Sequence, residues 1–212
     1  MTLREMSNTM GKNTVGKDKT LFIGCLHLDS NYAIKYRPYA PQDKEGYNKF
    51  IIDRINEYAP DSSYKIFLMG DIADSKDGWK LIKQLNTNKL ILIDGNHDSG
   101  LNPYTKLTYV NDIRGAMVMN PFLVTHIPVH PIELSYDEKL INIHAHSHYN
   151  SIPDPKYLNL SFDTYRRPIT RTEVELFSAH NTKFFAENQR LPVVTFDDDH
   201  SFTIEGLDYP KK

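Results

Sequence analysis

Side chains of the kinds that bind metal ions recur along this chain. In chain order they are Cys25, His27, Asp71, Asn96, His97, Asp98, His126, His144, His146 and His148. Imidazole, thiolate and oxygen donors hold divalent transition metals in proteins. Any one of these residues alone is more often a loop residue or a hydrogen-bonded core group. The ordered set favours a metal site to which several elements contribute.

The composition agrees with this interpretation and excludes several classes of protein. The 212 residues contain nine histidines, seven of them between His27 and His148, and a single cysteine. One cysteine rules out an internal disulfide and favours a reducing, cytoplasmic setting. With 25 basic and 27 acidic residues the formal net charge is −2, so no general basic field attracts a polyanion. At 40% hydrophobic residues the chain can bury a core, which excludes disorder throughout.

Short apolar runs alternate with longer amphipathic ones, which is typical of an α/β domain. The apolar runs predict the strands Leu21–Gly24, Lys65–Met69, Lys89–Ile93, Pro121–Thr125, Leu140–His144, Tyr157–Phe162, Val193–Phe196 and Phe202–Ile204. The spacing of apolar residues predicts the helices Lys44–Tyr58, Trp79–Leu85 and Arg171–Phe185. Thr170 and Glu173 are spaced as a capping box for the last of these helices.

Nearly every predicted strand ends at metal-binding side chains. Cys25 and His27 follow the first strand, and Asp71 follows the second. In open α/β sheets ligands bind beyond the carboxyl ends of the strands. We therefore expect the strand ends to converge on one site.

The terminal segments predict a simple organisation. Residues 1–19 are polar and lack the apolar run of a signal peptide, so we expect a flexible N-terminal arm there and a single domain over residues 20–212. No apolar run approaches the roughly 20 residues that span a bilayer, so we expect no membrane partner.

Several of these residues also have simpler interpretations. Asp71 could cap a short helix, and Asn96 after a glycine could belong to a tight turn. Three histidines with period two, from His144 to His148, could share one face of a strand, although the intervening Ala145 and Ser147 favour a strand that turns into a loop.

Taken in order, the motifs resemble the calcineurin-like metallophosphoesterases, in particular their small phage and bacterial members. The resemblance runs from about Thr20 to Phe162 and is strongest at Gly95-Asn96-His97-Asp98. It continues through Thr125-His126-Ile127-Pro128-Val129-His130 and the segment from Asn142 to His148. The resemblance implies a four-layer α/β/β/α sandwich with two mixed sheets.

The resemblance also implies roles for individual residues. Asp71 would bridge two divalent transition metal ions, the first bound also by the position of Cys25 with His27 and His148. Asn96, His126 and His146 would complete the second ion. His97 would be a catalytic general acid or phosphate-orienting group. Asp98 would support the local geometry or orient the imidazole of His97, and a solvated turn aspartate is the alternative.

The activity implied is hydrolysis of a phosphate ester by a dinuclear metal centre and a metal-activated water. Short connections between the motifs leave no room for a large cap domain, which favours a phosphodiesterase with an open site. A nucleotide or a short nucleic acid would suit such a site. Two alternatives stay open: a nuclease acting on nucleic-acid ends, and a non-catalytic metal-stabilised binding protein with a degenerate first metal site. Retention of His97 favours catalysis.

Two positions depart from the family pattern. Cys25 stands where the family has aspartate, and a thiolate there would favour zinc or iron in the first site over manganese. The alternatives are a buried, inert Cys25 and replacement of the missing ligand by Asp29. Ala145 stands where the family usually has glycine, which is tolerable unless the backbone there needs a positive φ.

Two further segments have both a functional and a structural interpretation. Residues 99–120 form the longest insertion and carry Tyr104, Lys106, Tyr109 and Arg114, which could bind a nucleotide or simply pack a loop. Arg166, Arg167 and Arg171 could bind phosphate or form a solvated face.

Residues 193–204 predict a terminal hairpin, and its edge strand could pair with another subunit.

Overall fold

A computed structural model describes residues 18–209. The predicted arm over residues 1–19 therefore lies outside the described residues except for Asp18 and Lys19. Those two residues are held in place by hydrogen bonds and are not part of a flexible arm. The Asp18 carboxylate accepts hydrogen bonds from Thr172 N and Oγ1, and Lys19 O accepts one from Lys65 N at 2.7 Å.

Two mixed sheets form the centre of the fold. In the first, β1 (Thr20–Ile23), β2 (Lys65–Leu68), β3 (Lys89–Ile93) and β4 (Asp112–Arg114) run parallel, and the two-residue β9 (Ile169–Thr170) pairs antiparallel with β1. In the second, β6 (Phe122–Thr125), β7 (Ile141–His144) and β8 (Tyr157–Asn159) run parallel, and β5 (Ala116–Met119) pairs antiparallel with β6.

Alternating side chains of the first sheet enter two separate cores. Leu21 and Ile23 face one core while Phe22, between them, faces the other, as expected from the period of two along a strand. The first core lies under the helices α1 (Asn31–Tyr36), α2 (Lys44–Tyr58) and α3 (Lys76–Leu81). The second lies between the sheets. Because β1, β2 and β3 are largely buried on both faces after their first residue, the rest of each of these strands is apolar.

The chain after the second sheet packs on this second core. Helix α6 (Arg171–Asn188) contributes Val174 and Phe177, and the antiparallel hairpin of β10 (Val194–Phe196) and β11 (Phe202–Ile204) contributes Phe202 and Ile204. The predicted α/β/β/α sandwich with two mixed sheets is confirmed. Among the helices of residues 18–209, none has both the length and the apolar composition to cross a bilayer.

Several element boundaries differ from the predicted ones. The predicted strand Tyr157–Phe162 ends at Asn159, and Phe162 begins a short helix, α5 (Phe162–Tyr165). The predicted helix Trp79–Leu85 is instead α3 followed by a 3₁₀ turn at Ile82–Gln84, because Ser75 caps the helix at Gly78 N.

The insertion over residues 99–120 is not a plain loop. It contains the short helix α4 (Pro103–Lys106) and the strands β4 and β5, which extend the two sheets. The sequence predicts neither strand because three or four residues of mixed polarity carry too little periodicity.

Candidate metal centre

The loops that follow β1, β2, β3, β6 and β7 bring the candidate metal ligands together. One donor atom from each of Cys25, His27 and His148 lies within 4.8 Å of the others, and the same holds for Cys25, Asp71 and His126. The Asn96 side-chain oxygen lies 3.1 Å from His126 Nε2, which in turn lies 3.3 Å from Asp71 Oδ2. The rings of His126 and His146 meet edge to face with centroids 5.0 Å apart. All seven predicted ligands therefore surround one region.

Three of the imidazoles have one nitrogen bound to the protein, which aims the other nitrogen at this region. His126 Nδ1 lies 2.8 Å from Met69 O, and His148 Nδ1 lies 2.7 Å from Asp163 Oδ2. His27 Nδ1 lies 3.0 Å from Asp74 Oδ1. This arrangement fixes the tautomer and is the usual environment of a histidine that ligates a metal. An oxygen atom at Nδ1 can only accept a hydrogen bond, so the proton of the neutral ring is on Nδ1. Each Nε2 therefore keeps a lone pair that can bind a metal.

Two ring nitrogens at the site are buried without a hydrogen-bond partner among the described residues. They are His27 Nε2 and His146 Nδ1. A buried polar atom left unpaired costs about 1–3 kcal/mol. With thiolate, imidazole and carboxylate donors around them, these two atoms have the character of ligands to divalent transition metal ions.

The backbone at the site is held in unusual conformations. Cys25, His27, Asp71, His146 and His148 all have positive φ, between 48° and 64°. Non-glycine residues in this region are strained by about 1–3 kcal/mol each, and such strain clusters at functional sites. By contrast, Ala145 does not have a positive φ, so alanine fits this position without strain.

Asp98 is buried and connects two of the loops. Its carboxylate accepts hydrogen bonds from the backbone N–H groups of Asp71, Ile72 and Gly95 at 2.9–3.0 Å. Burial and the nearby charge of Asp71 raise the pKa of Asp98 to about 6, although these hydrogen bonds act to lower it. It is therefore neither a solvated turn residue nor a partner of the His97 ring. It supports the geometry of the Asp71 loop.

The same loops approach so closely that Gly95 is required. A Cβ at Gly95 would lie 2.4 Å from Asp71 N.

The Asp71 side chain does not cap a helix, because α3 begins at Lys76 with Ser75 as its cap. Instead, Asp71 Oδ1 accepts a hydrogen bond from His97 N at 2.9 Å, and Oδ2 faces His126. Burial works against ionisation, but these contacts lower the pKa of Asp71 to about 2.

Cys25 is fully buried, and its sulfur accepts hydrogen bonds. His146 N lies 3.0 Å and Ser161 Oγ 3.6 Å from Sγ. Burial raises the pKa of the Cys25 thiol to about 12, so a bound cation would have to displace its proton. Asp29 does not take its place, because the Asp29 carboxylate contacts Lys44 and Ser75 instead.

Two carboxylates that the sequence does not single out also lie at the site. Asp74 lies between His27 and His97, with Oδ1 at 3.0 Å and 3.7 Å from their Nδ1 atoms. Asp163 is fully buried and holds His148 while Arg37 binds it through two nitrogens at 2.6 Å and 2.8 Å. Arg37 also donates to Cys25 O and Leu26 O. Arg37 and Asp163 thus join the Cys25 loop to His148.

His97 lies at the open edge of the site. Its side chain is 52% exposed, and its ring meets His27 edge to face. Beside it a cavity of about 290 Å³ is lined by Asp74, Lys76, Trp79, Leu101, Asn102 and Thr105, among others. This volume is near the lower limit of ligand pockets.

Several side chains of the two segments with open interpretations pack against the protein itself. Lys106 is buried and pairs with Asp94 at 2.6 Å, and the Tyr109 ring packs on Trp79. The Arg167 guanidinium is buried against Glu173, and Arg166 lies over the ring of Phe196. These contacts match the structural interpretation for these four side chains, whereas Tyr104 is 86% exposed.

The comparisons with known proteins agree with the fold. The sequence profile of the calcineurin-like phosphoesterase family matches residues 19–201, and the chain therefore belongs to this family. A comparison with curated protein sequences finds no match.

Two solved structures are similar to this one. A protein of unknown function from Aquifex aeolicus has 19% sequence identity and a TM-score of 0.55, with 74% of this chain and 97% of that chain covered. It shares the fold. The nuclease MPE from Pseudomonas putida has 17% identity and a TM-score of 0.41, with 63% of this chain and 62% of that chain covered.

Proposed function

We propose that this protein is a metal-dependent phosphodiesterase with a dinuclear centre. The observation that carries the proposal is the set of histidines whose outer nitrogens are fixed by the protein while their inner nitrogens face Asp71 and Cys25. Cys25, His27, Asp71 and His148 would hold the first cation, and Asp71, Asn96, His126 and His146 the second. Zinc or iron suits the sulfur in the first site.

Asp71, His97 and Asp74 would have different roles in the reaction. When bound, a pair of divalent cations neutralises phosphate charge and acidifies a water molecule. The Asp71 carboxylate is ionised and stands between the two donor groups. His97 is exposed at the edge of the site, where its ring can supply a proton to the leaving oxygen or bind a phosphate oxygen. Asp74 lies against His27 and His97 and orients both.

The open edge supports a diester more than a monoester substrate. A diester carries a second organic group that must lie outside the metal centre. The cavity beside His97 offers space for one such group, and the other can remain in solvent.

The exposed position of His97 also favours catalysis over a purely structural metal site, since a ring that served only to stabilise the fold would gain from burial.

Replacement of His97 with alanine tests this assignment. We expect turnover of bis-p-nitrophenyl phosphate to fall by about 10²–10⁴-fold, the range of general acid catalysis, while the metal content stays near that of the natural protein. The matched control is His130→Ala, at an exposed histidine outside the donor groups. Loss of metal from His97→Ala would show instead that His97 is a ligand, and full activity would remove its proposed role.

A further inference from the structure

Three exposed tyrosines form one surface beside the candidate metal centre. Tyr32, Tyr36 and Tyr149 are 72%, 50% and 57% exposed. The rings of Tyr32 and Tyr36 contact one another with centroids 4.5 Å apart, and the hydroxyl of Tyr149 donates a hydrogen bond to Tyr36 O at 3.3 Å. We call these three residues the tyrosine surface.

The tyrosine surface adjoins the first donor group directly. Tyr149 follows His148 in the chain, and α1, which carries the other two tyrosines, begins four residues after His27. The Tyr149 side chain also lies close to the Asp163 carboxylate, which holds the ring of His148. A group attached to a phosphate in the metal centre would therefore meet these rings.

The charge of α1 favours an anionic ligand with flat rings. The helix has one cation, Lys35, and no carboxylate among its six residues. Lys35 Nζ lies 5.7 Å from the centre of the Tyr36 ring. Exposed aromatic rings beside a cation are the elements with which proteins bind single-stranded nucleic acids, because every base has a face that can stack and every linkage has a phosphate.

We propose that the tyrosine surface stacks a nucleobase attached to the scissile phosphate, so that the substrate is a phosphodiester of a nucleoside. This inference rests on the proposed phosphodiesterase function and specifies its substrate class. At least half of the area of each of these three side chains is exposed, so the rings gain contact area when a base covers them. The tyrosine hydroxyls keep the surface wettable when no ligand is present.

Two esters with the same leaving group isolate the contribution of the nucleoside. Thymidine 5′-(p-nitrophenyl phosphate) and methyl p-nitrophenyl phosphate both release p-nitrophenol, and only the first carries a base. We expect the natural protein, loaded with its metal, to have the higher kcat/KM on the thymidine ester. In Tyr36→Ala and Tyr149→Ala the ratio of the two kcat/KM values should fall about tenfold, within the range of a lost base stack.

Two further variants separate stacking from other effects. Tyr149→Phe keeps the ring and removes the hydroxyl, so its ratio should stay near that of the natural protein. Tyr136→Ala is the matched control, because Tyr136 is 81% exposed and precedes the amino end of β7, away from the strand ends that form the site. A binding assay without metal gives an independent measurement: a labelled short oligonucleotide should bind more weakly to Tyr36→Ala than to Tyr136→Ala.

Three outcomes would overturn the inference or its basis. If neither ester is hydrolysed with any metal, the phosphodiesterase proposal itself fails. If both are hydrolysed with equal kcat/KM and the tyrosine variants leave the ratio unchanged, the stacking proposal fails while the enzyme function stands. If the tyrosine variants instead abolish concentration-dependent self-association in sedimentation with no change in the ratio, the surface binds a second copy of the chain.

Discussion

Three histidines at this site are oriented by an oxygen atom that binds the ring nitrogen facing away from the donor groups. Asp163 holds His148, Asp74 holds His27, and Met69 O holds His126. The metal-type residues could be predicted from the sequence because their types and their positions after apolar runs are informative. Asp74 and Asp163 could not, since a carboxylate alone has many uses. Asp163 and Arg37 are 126 positions apart, and only the fold brings them together.

Replacing Asp163 with asparagine should weaken metal binding. The His148 ring would lose the carboxylate that fixes its tautomer, and such outer-shell changes typically cost about 10–100-fold in metal affinity. The measurement is a competitive metal titration at constant pH, together with thermal unfolding of the metal-free protein, because Arg37 would also lose its buried partner. Asp53→Asn, at an exposed residue of α2, is the control. An affinity equal to that of the natural protein would contradict this role.

Cys25 should determine the metal preference of the first site. In Cys25→Asp a hard oxygen replaces the soft sulfur, so we expect the preference for Zn²⁺ over Mn²⁺ to decrease. Cys25→Ser keeps the size but removes the thiolate, and it should weaken Zn²⁺ binding without improving that of Mn²⁺. Elemental analysis after equilibration with both metals measures the preference. An identical preference in all three proteins would mean that Cys25 is not a ligand.

The elements of the fold differ in how much the sequence predicts about them. Helix α2 has the predicted bounds, because apolar residues recur on one face over 15 residues and Pro60 follows its end. The sequence predicts none of the short elements α1, β4 and β9. Strand β4 is stabilised by its pairing with β3, in which Ile91 lies opposite Asp112. Such contacts are tertiary and leave little signal in the local sequence.

The start of α6 shows a local pattern that the structure confirms. Thr170 Oγ1 accepts from Glu173 N, and the Glu173 carboxylate accepts from Thr170 N, which completes the capping box. The same carboxylate binds the buried Arg167. Burial would raise the pKa of Glu173, but Arg167 and the other donors hold it below the ordinary value of 4.5.

The stability contributed by Glu173 should therefore depend on pH. With a lowered pKa in the folded state, this contribution is present above pH 4.5 and is lost as the pH falls through the folded value. Glu173→Gln leaves Arg167 buried without a counter-charge and should cost about 3–5 kcal/mol near pH 7.

Urea unfolding of both proteins from pH 7 to the acid range measures this contribution. The difference between them should shrink below pH 4.5. Glu175→Gln removes a half-exposed partner of Arg171 on the same helix and should change stability by at most about 1 kcal/mol. A difference for Glu173→Gln that stays constant with pH would contradict the role of its charge.

The whole molecule brings together donors from both sheets. Cys25, Asp71 and His97 follow strands of the first sheet, whereas His126, His146 and His148 follow strands of the second. The sequence predicts this convergence because parallel strands end on the same side. It does not predict the tyrosine surface, since α1 is too short to show a pattern and the contact of Tyr149 with α1 depends on how the loops fold.

Removal of metal should destabilise the whole fold. A cation bound only by the folded protein stabilises it by mass action, and an excess of about 100 times the dissociation constant adds about 2.7 kcal/mol. Thermal unfolding before and after treatment with a chelator should therefore show a lower Tm for the metal-free protein. Restoration of the Tm by Zn²⁺ but not by Mg²⁺ would agree with the soft donor set. An unchanged Tm would mean that the donor groups hold no cation.

The central claim is that the converging donors hold two cations on which hydrolysis of a phosphodiester depends. The most direct measurement titrates metal-depleted protein with Zn²⁺, Fe²⁺ or Mn²⁺ while bound metal and hydrolysis of methyl p-nitrophenyl phosphate are followed together. We predict no turnover without metal and full turnover at about two ions per chain. Full activity of the metal-free protein, or metal uptake without any hydrolysis, would contradict the account.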